Sequence, residues 1–178
     1  LKFTEIFNNY YEAILEKELI FLDTLANRPH QIEQHFGEIC GERLNWIKNE
    51  LAVIKNKEVI IFMHHPPFSV GFPGMDNIKL KDSDQFMTFI EGFKNIVHLV
   101  CGHIHRTISG NINGKSFSIF KSTCHQMPMN QCSEKSSLSI AEPPAYGILL
   151  VNNNDIIAHS IDYELSELKT LGSQANQN

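Results

Sequence analysis

Glu58-Val-Ile-Ile-Phe-Met63 runs directly into His64-His65-Pro66-Pro67, and Ile96-Val-His-Leu-Val-Cys101 runs directly into Gly102-His103-Ile104-His105-Arg106. The first run is apolar from Val59 to Met63 without a break, which marks a strand buried on both faces rather than one with a wet side. Between the two runs lie a Pro- and Gly-rich loop, Pro66–Lys81, and a helix that Asp82 or Ser83 can cap and that reads on through Phe86, Phe89, Ile90 and Phe93. Strand, helix, strand at such short intervals builds a parallel pair joined by a right-handed crossover. In an open parallel sheet the loops leaving the carboxyl ends of the strands converge on one crevice, and functional groups collect there. Both of those loops open here on histidines.

Upstream, Leu44, Ile47, Leu51 and Ile54 recur at helical spacing between Glu38 and Lys55, with Trp46 beside the stripe. Before that, Glu18–Thr24 reads as a short buried strand, Leu19-Ile20-Phe21-Leu22, running into a polar loop at Asn27, Arg28 and Pro29. Ile6, Phe7, Tyr10, Tyr11 and Ile14 predict a first helix over Thr4–Leu15. Downstream the pattern changes. Asn113-Gly114 between Ile108–Ile112 and Lys115–Phe120 is a hairpin signal, and Ala145–Val151 with Ile156–Asp162, separated by Asn152–Asp155, forms a second. The expected fold is α/β, a parallel βαβαβ unit followed by a mostly antiparallel half. Residues 1–168 form one domain, and 169–178 a polar tail expected to be disordered.

The 178 residues suffice for one core, and a chain of this size buries roughly 70% of its unfolded surface. Hydrophobic residues at 42% and charged residues at 20% exclude a disordered or collagen-like chain. A net charge of -5 and a pI of about 6.0 provide no broad basic surface, so a nucleic acid polymer and an anionic membrane are excluded as nonspecific partners. No apolar run approaches the ~18 residues of a membrane span. The opening Leu-Lys-Phe-Thr carries neither an initiator Met nor a signal-peptide pattern, and the native start is expected upstream. Cys40, Cys101, Cys124 and Cys132 lack a Cys-x-x-Cys pair and read as reduced thiols of a cytoplasmic protein, Cys124 and Cys132 as packed ones.

Neutral imidazole is the commonest metal ligand in proteins. In an extended turn His103 and His105, two residues apart, face the same side, so their nitrogens can reach one shared ion or two neighbouring ions, and Gly102 lets the backbone turn sharply. A lone histidine is more often a hydrogen-bonded core or surface residue, and His30, His35, His98 and His159 are read that way. Two clusters at adjacent strand ends are far more specific than either alone.

The His-x-Pro after one strand and the Gly-His-x-His after the next resemble the closing motifs of the calcineurin-like metallophosphoesterases. The longer stretches Phe62–Phe68, Met75-Asp76, Cys101–Arg106, Ser122–Gln126 and Glu142–Tyr146 resemble the branch of class III cyclic-nucleotide phosphodiesterases and glycerophosphodiesterases, from about Leu19 to Asp162. The resemblance implies the C-terminal half of a four-layer α/β/β/α sandwich holding two divalent metal ions (Fe, Mn, Zn or Co). It implies that His64 and His103 bind one ion and His105 the other, with His65 a supporting group or phosphate contact and His125 a substrate contact. Met75-Asp76 and the Gln131–Pro144 loop could reach the leaving group. Such a pair of cations lowers the pKa of a bridging water and neutralises charge on the displaced oxygens.

The family's opening motifs, Asp-x-His, Gly-Asp-x-x-Asp and Gly-Asn-His-Asp/Glu, do not occur in this sequence. The bridging Asp and the transition-state His are therefore expected upstream of Leu1, and the fragment alone is expected to be inactive. An open sheet face then calls for a missing N-terminal half or a homo-oligomer. The expected function is metal-dependent hydrolysis of a small-molecule phosphodiester, foremost a 3',5'-cyclic nucleotide. The alternatives are glycerophosphodiester hydrolysis and a noncatalytic metal-binding or interaction module.

Overall fold

The computed structural model describes residues 2–4, 9–14, 17–26, 35–55, 57–152 and 155–163. Nine strands are described: β1 (Lys2–Thr4), β2 (Asn9–Ile14), β3 (Lys17–Leu22), β4 (Glu58–Met63), β5 (Ile96–Cys101), β6 (Ile108–Ile112), β7 (Lys115–Ile119), β8 (Ala145–Val151) and β9 (Ile156–Asp162). Between them stand α1 (Gly41–Ile54), α2 (Pro73–Asp76) and α3 (Ser83–Glu91). The main sheet has the order β1-β2-β3-β4-β5-β7-β6, and β8 and β9 form a separate pair. Strands β3, β4, β5 and β7 are mutually parallel, so the expected βαβαβ unit lies at the centre.

Register places the site. Leu22 is opposite Met63, and Met63 is opposite Cys101, so the three strands end at one level. The Gly102 N–H donates to the His64 carbonyl at 3.0 Å, which ties the two histidine loops together one residue past the ladder. Alternation along each strand sorts the side chains between two faces. Ile20, Leu22, Ile61, Leu99 and Cys101 pack against Ile47 and Leu51 of α1 and Phe86 and Ile90 of α3. On the opposite face Leu19, Ile60 and Val100 meet Phe120 and, from the hairpin, Leu149, Val151 and Ile156. The helices form because their apolar residues fall on one side, and that side is the one that is buried.

Several expectations change in the structure. The helix expected over Thr4–Leu15 is not formed: the described residues there are β1 and β2, with β2 antiparallel to β3. Tyr10, Tyr11 and Ile14 favour a pleated strand as readily as a helix, and β3 offered an edge whose backbone groups needed partners. Both expected hairpins, β6–β7 and β8–β9, form antiparallel, and one pairing is added to them. Strand β7 turns back through Asn113 (φ 52°) and Gly114 (φ 81°), the two left-handed residues of a tight hairpin, and then pairs parallel with β5. The loop Pro66–Lys81 contains the one-turn helix α2. Cys124 and Cys132 are exposed rather than packed, because both lie in polar loop rather than on an element with a buried face. The expected tail, 169–178, and the polar loop at Asn27, Arg28 and Pro29 lie outside the described residues. Among the described residues no helix is long and apolar enough to cross a membrane.

Leu99 is fully buried at the centre of the sheet. Leu99→Ala is expected to lower unfolding stability by about 2–5 kcal/mol, read as a reduced urea midpoint at unchanged m-value, whereas Val53→Ala, at a side chain 81% exposed, leaves the midpoint in place.

Candidate metal centre

His64 and His65 follow β4 and His103 and His105 follow β5, so the shared strand level brings four imidazoles to one edge. The His103 Nδ1 lies 3.3 Å from the His64 Nε2. His64, His65 and His103 each present a nitrogen within 4.8 Å of the others. Gly102 permits this approach: a Cβ there would stand 3.2 Å from the His64 Nδ1, tighter than nearly all real contacts.

The backbone differs from the extended turn expected at Gly102–Arg106. His103 (φ 67°) and His105 (φ 56°) both sit in the left-handed region, where a non-glycine residue costs about 1–3 kcal/mol. Ile104 between them is fully buried and pins the loop to the core. As a result His103 joins His64, while the His105 ring packs on His125, 4.7 Å between centroids. The predicted trio His64, His103 and His105 is thus divided into a tight pair and a neighbour.

His65 is engaged elsewhere. Its Nε2 lies 3.1 Å from the His35 carbonyl, which can only accept, so Nε2 carries the proton and Nδ1 accepts from the Thr24 hydroxyl at 2.8 Å. With both nitrogens occupied and the residue 5% exposed, His65 fits the supporting role better than a contact to phosphate. His103 is the opposite case. Among the described residues its Nε2 is buried with no partner in hydrogen-bond geometry, although the Ile78 backbone acts on the ring. Leaving a buried polar group unmatched costs roughly 1–3 kcal/mol.

All four rings are held neutral. Burial is the main cause for each, and it pushes His103 down to about 3 and His65 to about 4. For His103 the neighbouring His65 and His64 add to the effect, and the Ile78 backbone opposes it. His64 is lowered by burial and then by His105, and His105 by burial and then by His125. His105 also lowers both His64 and His103, which marks it as a near neighbour of the pair. Neutral imidazoles, one with a buried unmatched nitrogen, form a donor set that fits a borderline divalent cation. Among the described residues, no carboxylate is grouped with them at ligand spacing.

Sequence reasoning missed the groups that hold this edge in place. Arg106 pairs with Glu142 at 2.7 Å and donates to the Met127 carbonyl at 3.1 Å. Gln126, fully buried, bonds both ways with the Ser122 backbone and so fixes the turn that presents His125. The Cys124 thiol lies 3.0 Å from the His125 Nδ1. His35, read as an ordinary histidine, lines a cavity of about 310 Å³ together with His103, His105 and His125. Met75 lines that cavity too, whereas the Asp76 carboxylate accepts from the Val70 and Gly71 N–H groups and is a loop clamp. His98 is satisfied by Ser116 and Ser118, as a core histidine should be. His159 is exposed, and His30 lies outside the described residues.

The chain is 31% identical over 146 residues to a probable cyclic nucleotide phosphodiesterase of Rhodopseudomonas palustris, a match covering 82% of this chain and 52% of that protein. That likeness is consistent with the resemblance of the two histidine motifs to the calcineurin-like metallophosphoesterases. A probable glycerophosphodiester phosphodiesterase of Arcobacter nitrofigilis is 28% identical over 142 residues, covering 78% of this chain and 50% of the relative. A dimetal phosphatase from Danio rerio shares the fold at a TM-score of 0.53 and 16% identity, over 65% of this chain and 49% of that one. No family model matches the chain. The chain spans about half the length of the curated relatives it matches.

The depressed histidine values fix a direction with pH. In unfolded chain these rings take up protons near pH 6.5, while the folded rings stay neutral to about pH 4 for His65 and about pH 3 for His103. Their contribution to stability is complete above the unfolded value and is lost as pH falls through the folded ones. In chelator-treated protein, urea midpoints are expected to fall between pH 7 and pH 4, and His103→Gln is expected to flatten that slope. An equal slope in wild type and variant contradicts the assignment.

Proposed function

We propose that this chain supplies the histidine side of a two-metal site that hydrolyses a small-molecule phosphodiester, foremost a 3',5'-cyclic nucleotide. The observation that carries the reading is the 3.3 Å approach of His64 Nε2 and His103 Nδ1 at the shared end of β4 and β5. His64 and His103 hold one divalent cation and His105 the other. Water activation at neutral pH and charge neutralisation on the phosphate oxygens are what such ions supply when bound. Iron, manganese, zinc and cobalt all suit imidazole donors, and supply decides among them.

The chain's own residues have distinct tasks in this reading. His65, held by Thr24 and His35, packs against the His103 ring at 4.4 Å between centroids and keeps that ring upright. His125, turned toward His105 by the Gln126 brace, donates to a phosphate oxygen. The cavity beyond them takes the organic group of the substrate. Glycerophosphodiester hydrolysis is the second reading, and the likeness to the Arcobacter relative supports it.

A histidine-only donor set is poor in the carboxylates that hard or borderline cations favour. A further polypeptide, either the remainder of a longer protein or a second copy of this chain, supplies them. Exposed Tyr146, Ile148, Leu150, Ile157 and Ile161 on β8 and β9 support such an apolar contact. The four free cysteines support a reducing compartment such as the cytoplasm.

The test uses the full-length protein and its His103→Ala variant, with metal content and hydrolysis of bis(p-nitrophenyl) phosphate, 3',5'-cyclic AMP and a glycerophosphodiester as readouts. The wild type is expected to retain divalent metal and turn over, and the variant to lose metal and at least about 10²-fold in rate, equivalent to roughly 3 kcal/mol. Metal-free, inactive wild type would rule the reading out.

A further inference from the structure

The cavity beside His103, His105 and His125 has a second wall whose chemistry differs from the first. Met75, Ile78, Met127 and Leu138 line it, together with Ser136 and Ser137. The wall is built from a segment without regular secondary structure, yet both of its ends are fixed. At one end the Gly74 N–H donates to the Ser133 carbonyl at 3.1 Å, and the Asn77 side chain donates to Glu134 at 3.2 Å. At the other end Gln126 and Ile140 exchange two backbone bonds, 3.1 and 2.8 Å. The span between these anchors carries Ser136, Ser137 and Leu138 into the cavity.

Gly74 sets how close the wall stands. A Cβ at that position would lie 2.4 Å from the Lys135 carbonyl carbon and 2.8 Å from the Ser136 nitrogen, so any side chain there forces the backbone of the wall outward. Met75, the next residue on α2, lines the same cavity, so α2 both holds the wall and furnishes part of the slot.

We propose that the Ser133–Leu138 segment, braced on α2 through Gly74, is the specificity wall of the site, and that it selects a planar, weakly polar group on the phosphate, a nucleobase, over a glycerol. This rests on the reading that phosphate binds at the histidines. Ser136 and Ser137 can serve either group, so the preference comes from Leu138 together with Met75, Ile78 and Met127, whose branched aliphatic groups and thioethers pack well on an aromatic face and hydrogen-bond nothing on a glycerol. Serine hydroxyls can both donate to and accept from the edge of a base. A cavity of about 310 Å³ sits at the low end of small-molecule sites, and it suits one nucleoside rather than a chain of nucleotides.

The experiment measures binding of adenosine 5'-monophosphate, glycerol 3-phosphate and inorganic phosphate to the manganese-loaded full-length protein by calorimetry. The variants are Gly74→Ala, which pushes the wall out, and Leu138→Ser, which removes its apolar contact at a half-buried position. Wild type is expected to prefer the nucleotide by on the order of tenfold or more, and both variants to lose that preference with phosphate affinity and metal content unchanged. A merely structural role would move all three ligands together. Should Gly74→Ala fail to fold by circular dichroism, Leu138→Ser alone decides. Equal binding of the two organic phosphates to wild type, or a preference that survives in Leu138→Ser, overturns the wall while phosphate binding leaves the histidine site standing. No phosphate binding by wild type overturns both.

Discussion

The parallel register of β4 against β5 is the constraint on which the site depends. Because Met63 and Cys101 are opposite one another, the residues that follow them leave the sheet together, and the Gly102 N–H reaches the His64 carbonyl. A slip of one residue would turn every apolar side chain of the strand to the wrong face. It would also part the two histidine loops. The core therefore specifies the site indirectly: Ile61 and Leu99 on one face and Ile60 and Val100 on the other admit a single register.

Two costs are concentrated at this edge. His103 and His105 occupy left-handed backbone conformations, and His103 keeps a buried nitrogen without a partner among the described residues. Ile104, buried between them, and Arg106, anchored to Glu142 and Met127, over-determine the loop and make the strain tolerable. Crowding the rings out of water also keeps them neutral, which is the state in which imidazole binds a cation. A divalent ion between His64 and His103 would engage the two nitrogens that face one another.

Much of this was legible in the residues. The unbroken apolar run at Val59–Met63 and the largely apolar Ile96–Cys101 disclosed the two central strands, the Asn113-Gly114 pair disclosed a hairpin, and the histidine clusters followed from the strand ends. The first helix failed because Tyr10, Tyr11 and Ile14 satisfy two periodicities over so short a stretch, and only the open edge of β3 decides between them. The division of His103 from His105 was hidden as well, since sequence spacing carries no information about left-handed backbone at non-glycine positions. The role of His65 depended on Thr24 and the His35 carbonyl, distant in sequence, and could emerge only from packing. The wall at Ser133–Leu138 has no periodic signal at all. Its place is set by a glycine on another loop, whose meaning lies in the atom it lacks.

The central claim is that the rings of His64 and His103 share a cation. The most direct measurement is an anomalous difference map from crystals of the full-length protein grown with zinc. The account predicts a peak between the two rings, within about 2.0–2.1 Å of a nitrogen from each, with a second peak at His105. Strong peaks elsewhere, with His64 and His103 still bonded to one another, would contradict it.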